Sequence, residues 1–167
     1  MLNSFVAVGV STAVAVAQAP RVSPADVRAI AVAVIDDVAP HAGRLGARPI
    51  EGRQLFLDEA AFFRAMQKVV DGHVPPGLTL ARPVTNARSA DVIHCSGARR
   101  RCQVRNDGIF VKVLDAAVDP ASGQVRVRTS VTWDYGLTGT TWFAVDVFLA
   151  KTGSEWKVVR HGPYATS

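Results

Sequence analysis

Apolar and polar residues alternate with a period of two through most of the second half of the chain. Between residues 109 and 161, runs rich in Val, Thr and aromatic residues are separated by three short segments, at 119–123, 134–139 and 151–154. Gly, Asp, Ser and Pro in these segments favour the backbone dihedrals of tight turns. The spacing therefore predicts an antiparallel meander of β-strands.

A stretch before the meander has the 3.6-residue period of an amphipathic helix. It begins at Ser23-Pro24-Ala25-Asp26, where Ser is a suitable N-cap, Pro suits the first helical position and an acidic residue favours the first turn. Pro40 and Gly43 predict its end. Its apolar stripe consists of Val27, Ile30, Ala31, Val34, Ile35 and Val38.

A second helix is predicted to begin after Asp58, as its N-cap, and to end near Gly72. Residues 54–57 suit either a short strand or the lead-in to this helix, and the pattern does not decide between them. The predicted inner face consists of Phe62, Met66, Val69 and Val70.

Pairing strand 125–134 with strand 140–150 gives the predicted sheet two different faces. It places Val131 opposite Phe143 on one face and Arg128 opposite Asp146 on the other. The first face is nearly all apolar and β-branched, so the helices are expected to cover it; we call it the helix face. Its residues are Val127, Thr129, Val131, Trp133, Thr141, Phe143, Val145 and Val147.

The opposite face, the outer face, mixes aromatic and charged residues. Pairing strand 140–150 with strand 155–161 predicts Trp156 beside Ala150, Val158 beside Phe148 and Arg160 beside Asp146. Exposed sheet faces rarely carry two Trp and a Phe, so a ligand-binding role is one interpretation. The candidate ligand-binding residues are Arg128, Trp142, Asp146, Phe148, Trp156 and Arg160.

Two other interpretations of the outer face stay open. A partly exposed ladder of Asp–Arg pairs would contribute only ~0–1 kcal/mol and need no ligand. An exposed mixed face would instead suit a homodimer formed through the sheet.

The order of the elements predicts an α+β fold, with two N-terminal helices packed on a curved antiparallel β-meander of four to six strands. A layout that ends in Gly153-Ser-Glu-Trp156-Lys-Val-Val159 resembles the nuclear-transport-factor-like superfamily. The resemblance implies a cone-shaped sheet with a pocket. Members range from isomerases and dehydratases to binding and assembly domains, so no single activity is implied.

The segment Cys102-Gln-Val-Arg-Asn-Asp107-Gly108 is similar to one in uncharacterised exported bacterial proteins, and this similarity implies no activity. Residues 91–95 and 102–105 are predicted to form a hairpin. This hairpin, which contains the two cysteines, departs from the usual pattern of the superfamily.

The N-terminus has features of a signal peptide. Residues 5–17 contain no charge, and Ala15-Val16-Ala17 fits the small-x-small cleavage pattern. No run approaches the ~20 apolar residues of a membrane-spanning helix. Residues 1–17 are therefore predicted to be a signal peptide, and residues 18–167 a single exported domain, periplasmic or extracellular. Since Lys and Arg are absent before the apolar run, a buried N-terminal helix or strand is the alternative.

Cys95 and Cys102 are the only cysteines in the chain. An even number of cysteines close in sequence predicts a disulfide in an oxidising compartment. The spacing does not fit a CxxC redox pair, and with His94 as the neighbouring ligand the set is too crowded for a tetrahedral metal site.

The net charge of +5 is concentrated in one region. Residues 82–105 contain six Arg and one acidic residue, whereas the rest of the chain is balanced. Arg99, Arg100 and Arg101, at the tip of the predicted hairpin, are candidate anion-binding residues for an anionic envelope component. A solvated hairpin tip is the alternative. The region contains no Phe, Tyr or Trp on which bases could stack, so nucleic acid is not an expected partner.

Motifs for common chemistries are absent: the chain has no GxSxG, P-loop, GxGxxG or HExxH. No cofactor or metal is therefore predicted. Candidates for acid–base chemistry are Asp146, Asp134, Tyr135 and His161. Arginine neighbours would lower the pKa of Asp146 and make it a poor base. His161 is predicted to lie on the sheet face opposite Asp146, so His161 and Asp146 are not expected to form a dyad.

The sequence therefore favours a non-catalytic exported domain that binds a small ligand or an envelope component with its curved sheet. The alternative is a cone-fold isomerase or hydrolase of a small apolar substrate that uses Asp146.

Overall fold

The structure is a computed structural model, and it describes residues 22–45, 50–58, 70–97, 101–134 and 140–166. The signal peptide predicted at 1–17, residues 59–69 of the predicted second helix, Tyr135, Arg99 and Arg100 lie outside these residues. In chain order the elements are α1 (Pro24–Leu45), β1 (Gln54–Asp58), β2 (Arg82–Asn86), α2 (Ser89–Val92), β3 (Ile93–Ser96), β4 (Arg101–Val104), β5 (Ile109–Val118), β6 (Val125–Asp134), β7 (Thr140–Thr152), β8 (Glu155–His161) and β9 (Ala165–Thr166).

Seven strands of the described chain form one curled sheet, a half-barrel, in the order β2-β1-β5-β6-β7-β8, with β9 also paired to β7. The α+β class and the antiparallel meander from β5 to β8 are confirmed. The prediction of a purely antiparallel sheet of four to six strands was wrong, because β1 runs parallel to both β2 and β5. The helix count also differs from the predicted two, since α1 is the only long helix among the described residues and α2 is a single turn.

Residues 54–57 belong to a strand, which settles the alternative that the sequence left open. Every residue of β1 is buried, because neighbouring strands flank it and both of its faces are covered. A strand buried on both faces has no alternation of polar and apolar residues, which is why its pattern was ambiguous. β2 lies at the sheet edge, where Pro83 is tolerated.

Helix α1 begins as predicted and packs its apolar stripe on the helix face of the sheet. The hydroxyl of Ser23 accepts a hydrogen bond from the Asp26 backbone N–H at 3.1 Å, and the Asp26 carboxylate accepts one from the Ser23 backbone N–H at 3.3 Å. This reciprocal capping satisfies donors that the first turn cannot satisfy internally. All six predicted stripe residues are at most 5% exposed.

The predicted end of α1 at Pro40 and Gly43 was too early, because the helix continues to Leu45. Proline removes one backbone donor from a helix. The side chain of the next residue, His41, contacts the Asp37 carbonyl with its Nδ1 at 2.8 Å. The carbonyl that loses its donor at Pro40 is that of Asp36, one turn earlier, and the helix continues through the proline despite the loss.

The predicted register between β6 and β7 is confirmed along the whole pair. Val131 lies opposite Phe143, and Arg128 lies opposite Asp146. The apolar residues of the helix face are buried, and the hydroxyl of Thr129 donates to the Val145 carbonyl at 3.2 Å. The apolar pattern thus selects which side of the sheet the helix covers.

The predicted register between β7 and β8 was wrong. The pairing shifts between Phe148 and Leu149, so Phe148 lies opposite Arg160 and Lys151 lies opposite Trp156. Val159 is the extra residue of this bulge and is 50% exposed. A one-residue shift moves a side chain to the other face of a sheet, and Trp156 therefore lies on the helix face.

A second, smaller core lies under the β3–β4 hairpin, apart from the main core that α1 covers. The hairpin is confirmed, although the one-turn helix α2 precedes it. The predicted disulfide is confirmed and joins Cys95 to Cys102, which lie directly opposite each other. The buried residues of this core are Phe56, Val92, Val104 and Phe110.

Gly108 connects the hairpin to β5 at a point where no side chain fits. A Cβ built there would lie 2.8 Å from the Gln54 carbonyl oxygen and 2.8 Å from a ring carbon of Phe56. Asn106, Asp107 and Gly108 form the turn that leads into β5, and both Asn106 and Asp107 have positive φ. Close packing against β1 is thus the reason for glycine at this position.

Candidate functional site

The outer face carries an arginine–aspartate pair where the sequence predicted it. Nε and Nη2 of Arg128 donate to the two carboxylate oxygens of Asp146 at 2.7 and 3.1 Å. Two parallel hydrogen bonds fix the plane of the guanidinium group more firmly than a single contact. These bonds lower the pKa of the Asp146 carboxyl, against the partial burial that would raise it, so the group is ionised at neutral pH.

Charged and aromatic side chains flank this pair on the same face. Arg126 donates to Asp115 at 2.8 Å, and the guanidinium carbon of Arg160 lies 3.5 Å from the ring centroid of Phe148. The second contact is a cation–π interaction. Within the described residues, Arg160 has no carboxylate partner. The row therefore combines three guanidinium groups with two carboxylates.

The chain that follows β8 turns back along this row and forms one wall of a groove. The backbone N–H of Gly162 donates to the Asp146 carbonyl at 2.7 Å. A Cβ at Gly162 would lie only 3.0 Å from that of Asp146, so the close approach favours glycine. The groove has a volume of about 320 Å³ and is lined by Arg128, Ala144, Val145, Asp146, Pro163 and Ala165. This volume is at the lower end of the range for small-molecule pockets.

The structure brings together some of the predicted ligand-binding residues and separates others. Arg128 and Asp146 line the groove, and Phe148 and Arg160 lie beside them on the outer face. Trp142 is 38% exposed and lies on the same face, two residues from Ala144 along β7. Trp156 does not join this row, because its shifted register turns its side chain toward α1.

Sequence reasoning missed the groove wall at residues 162–165. The segment is too short to show a periodic pattern, and nothing in its sequence indicates that the residues after Pro163 pair with the sheet. Gly162 alone gave a hint, since glycine permits a close backbone approach.

The predicted arginine cluster cannot be placed as a unit. Arg101 begins β4, and only its backbone is described, while Arg99 and Arg100 lie outside the described residues. The anion-binding role of these three residues therefore stays a prediction.

Two histidine–aspartate pairs lie at α1, on the other side of the sheet. Nε2 of His73 lies 2.6 Å from an Asp36 oxygen, and Nε2 of His161 lies 2.7 Å from an Asp37 oxygen. Both aspartates lie off the apolar stripe of α1, and no sequence pattern indicates their histidine partners. The prediction that His161 and Asp146 lie on opposite faces of the sheet is confirmed.

Aromatic rings surround the second of these pairs. The ring of His161 stacks on Tyr164 at a centroid distance of 6.4 Å and lies 5.5 Å from the ring of His41. Tyr164 in turn contacts Phe143, which packs edge-to-face against Trp133. Trp133 is 5% exposed, and its indole N–H has no hydrogen-bond partner among the described residues.

The described residues contain no group of three or more His, Cys, Asp or Glu side chains that could hold a metal ion. In the same part of the chain, no helix is long and apolar enough to cross a membrane.

The two sites differ in the chemistry that they support. On the outer face, the low pKa of Asp146 makes it a weak proton acceptor, so its groove suits binding rather than proton transfer. At α1, a carboxylate orients an imidazole, which is the geometry of an acid–base pair.

Comparison of the chain with protein families, with curated proteins and with solved structures found no match. The resemblance to the nuclear-transport-factor-like superfamily therefore stays a prediction.

Proposed function

We propose that the protein is a non-catalytic binding domain that holds a small ligand on the outer face of its curled sheet. The groove beside the Arg128–Asp146 pair is the observation that carries this proposal. It combines apolar walls with a few fixed polar groups, as small-molecule sites usually do.

The proposed location of this domain is outside the cytosol. The disulfide between Cys95 and Cys102 supports it, since such bonds persist in oxidising compartments. Within that location, the exported domain would bind a free small molecule or the small headgroup of an envelope component.

A ligand screen with a blocked groove tests the proposal. Ala144 lines the groove on β7, and Ala144→Leu would fill part of its volume. A ligand at a hundred times its Kd stabilises a protein by about 2.7 kcal/mol, which thermal unfolding detects readily. We expect at least one ligand to raise the Tm of the wild type and to lose this effect in Ala144→Leu.

Ala117→Leu is the matched control for that experiment. Ala117 is exposed on the outer face of β5, opposite Arg126 and outside the groove lining. The same substitution there should leave ligand stabilisation intact. If every stabilising ligand acts equally on Ala144→Leu, the groove is not the binding site and the proposal is wrong.

A second candidate function, an acid–base enzyme acting on a small apolar substrate, rests on the Asp37–His161 pair. The exposed ring of Tyr164, which stacks on His161, would contact such a substrate. In that case His161→Ala abolishes the activity, whereas Asp146→Asn and Ala144→Leu leave it unchanged. Activity that survives His161→Ala would exclude this candidate.

A further inference from the structure

The two charged residues of the groove are not equally accessible. The side chain of Arg128 is 49% exposed, whereas that of Asp146 is 17% exposed. The backbone at Gly162 lies against Asp146 and covers it from one side. A ligand that enters the groove therefore meets the guanidinium group of Arg128 before it meets the carboxylate.

Arg128 has donors left for a ligand. A guanidinium group has five N–H bonds, and Asp146 takes two of those of Arg128. The remaining three lie on a group whose plane is already fixed, so binding a carboxylate or phosphate requires little further ordering.

The charge balance around the groove favours an anion. Arg126 and Arg128 each have an aspartate partner, and Arg160 adds a positive charge without one among the described residues. The other groove walls, at Ala144, Pro163 and Ala165, have no charged side chain and suit a small apolar body. The net positive charge of the row beside the groove, to which Arg160 contributes, disfavours a cationic ligand.

We infer that the groove takes small molecules that carry a carboxylate or phosphate group, with Arg128 as the binding residue and Asp146 as its positioning residue. This inference rests on the proposed function, because it assigns the ligand class of the same groove.

Calorimetric titration with benzoate, phenyl phosphate and neutral benzamide tests the ligand class. We expect benzoate or phenyl phosphate to bind with a Kd in the range of about 1 mM, and benzamide about tenfold more weakly. The stronger of the two anions identifies carboxylate or phosphate as the preferred group. Failure of both anions to bind, or equal binding of benzamide, overturns the inference.

Arg128→Lys keeps the charge and removes the planar pair of donors. We expect it to weaken anion binding about tenfold or more. Arg126→Lys is the matched control, because Arg126 is also paired with an aspartate on this face but does not line the groove. A change below about twofold is expected there. Equal losses in both variants would mean that general surface charge attracts the anion, which overturns the assignment of Arg128.

Asp146→Asn tests the positioning role through the sign of its effect. Removal of a negative charge would by itself strengthen anion binding. If Asp146 orients Arg128, the variant instead weakens binding, although the local charge has become more positive. Stronger binding in Asp146→Asn overturns the positioning role. The Tm of each variant shows that the protein is folded at the titration temperature.

One outcome is that neutral ligands bind in the groove in a way that Ala144→Leu abolishes and Arg128→Lys leaves intact. This result would overturn the anionic ligand class and retain the proposed binding function. If no ligand of any class depends on Ala144, both are wrong.

Discussion

The Asp26 carboxylate accepts a hydrogen bond from the indole N–H of Trp156 at 2.8 Å, across 130 residues of sequence. The same oxygen lies 2.7 Å from the Lys151 ammonium nitrogen, while the other carboxylate oxygen caps α1 through Ser23. One side chain therefore begins the helix and attaches it to β7 and β8.

Asp26→Asn should lower stability at neutral pH by about 1–2 kcal/mol, because it weakens the cap and the charged hydrogen bonds together. Thermal or urea unfolding measures this change. Glu155→Gln is a suitable control, since Glu155 is exposed and its salt-bridge partner among the described residues is the exposed Lys157. Its effect should remain within about 0.5 kcal/mol.

The stabilisation by Asp26 should depend on pH. Hydrogen bonds from Lys151, and then from Trp156 and Ser23, hold the folded-state pKa of Asp26 well below its usual range. A lowered pKa adds stability above the unfolded-state value of about 3.9, and this stability is lost as the pH falls from there through the folded-state pKa. Wild type and Asp26→Asn should differ most near pH 7 and converge in acid. A constant difference across this range would contradict the assignment.

Trp156→Phe removes the indole N–H and keeps an aromatic ring. We expect a loss of about 0.5–1.5 kcal/mol, and less than this when Asp26 is already Asn. A double-mutant cycle from urea unfolding gives the coupling between the two side chains. Additive effects of the two substitutions would show that the hydrogen bond contributes nothing measurable.

The Trp156 contact shows where prediction from sequence succeeded and where it failed. Alternation along β6 and β7 fixed their register, since a one-residue slip would expose Val131 and bury Arg128. The bulge at Val159 has no such signature, because Val158 and Val159 are both apolar and either could face α1. The predicted outer-face row therefore included Trp156, while its arginine–aspartate pair was predicted correctly.

Other features depend on contacts between distant segments. The parallel pairing of β1 with β5 leaves no periodic trace in a strand that is buried on both faces. The partner of Asp37 is His161, 124 residues away, and a scattered histidine gives no local sign of such a pair. The groove wall at Pro163 depends likewise on where the last residues fold back.

Gly108→Ala should destabilise the protein by about 1–3 kcal/mol through overpacking. The backbone of Gly108 has a φ of −80°, which alanine adopts freely, so any loss comes from contact with Gln54 and Phe56. Gly77→Ala is an informative comparison, because Gly77 has a φ of 74° and open space around it. Its expected cost of about 1 kcal/mol comes from the backbone conformation alone. A Tm of Gly108→Ala equal to that of the wild type would contradict the close packing.

Export should remove residues 1–17. When the full chain is produced in a bacterium, the protein recovered from the periplasm or medium should begin at Gln18, because Ala15 and Ala17 occupy the small-residue positions of the cleavage pattern. Intact-mass spectrometry measures this. Ala17→Phe should block the cleavage, whereas Ala13→Phe, outside those positions, should permit it. A protein that retains Met1 and stays in the cytosol would contradict the signal-peptide prediction.

The intact mass of the exported protein should be lower by two hydrogen atoms than the mass of its reduced form. The disulfide between Cys95 and Cys102 leaves the described chain without free thiols. Closing a loop with a sequence separation of 7 should contribute roughly 2.5 kcal/mol by the chain-entropy relation. Reduction should therefore lower the Tm by about 5–10 °C. The double variant Cys95→Ser with Cys102→Ser should show the lower Tm with or without reductant. If reduction frees both thiols and the Tm is unchanged, the small core around Phe56 and Phe110 holds the hairpin without the disulfide.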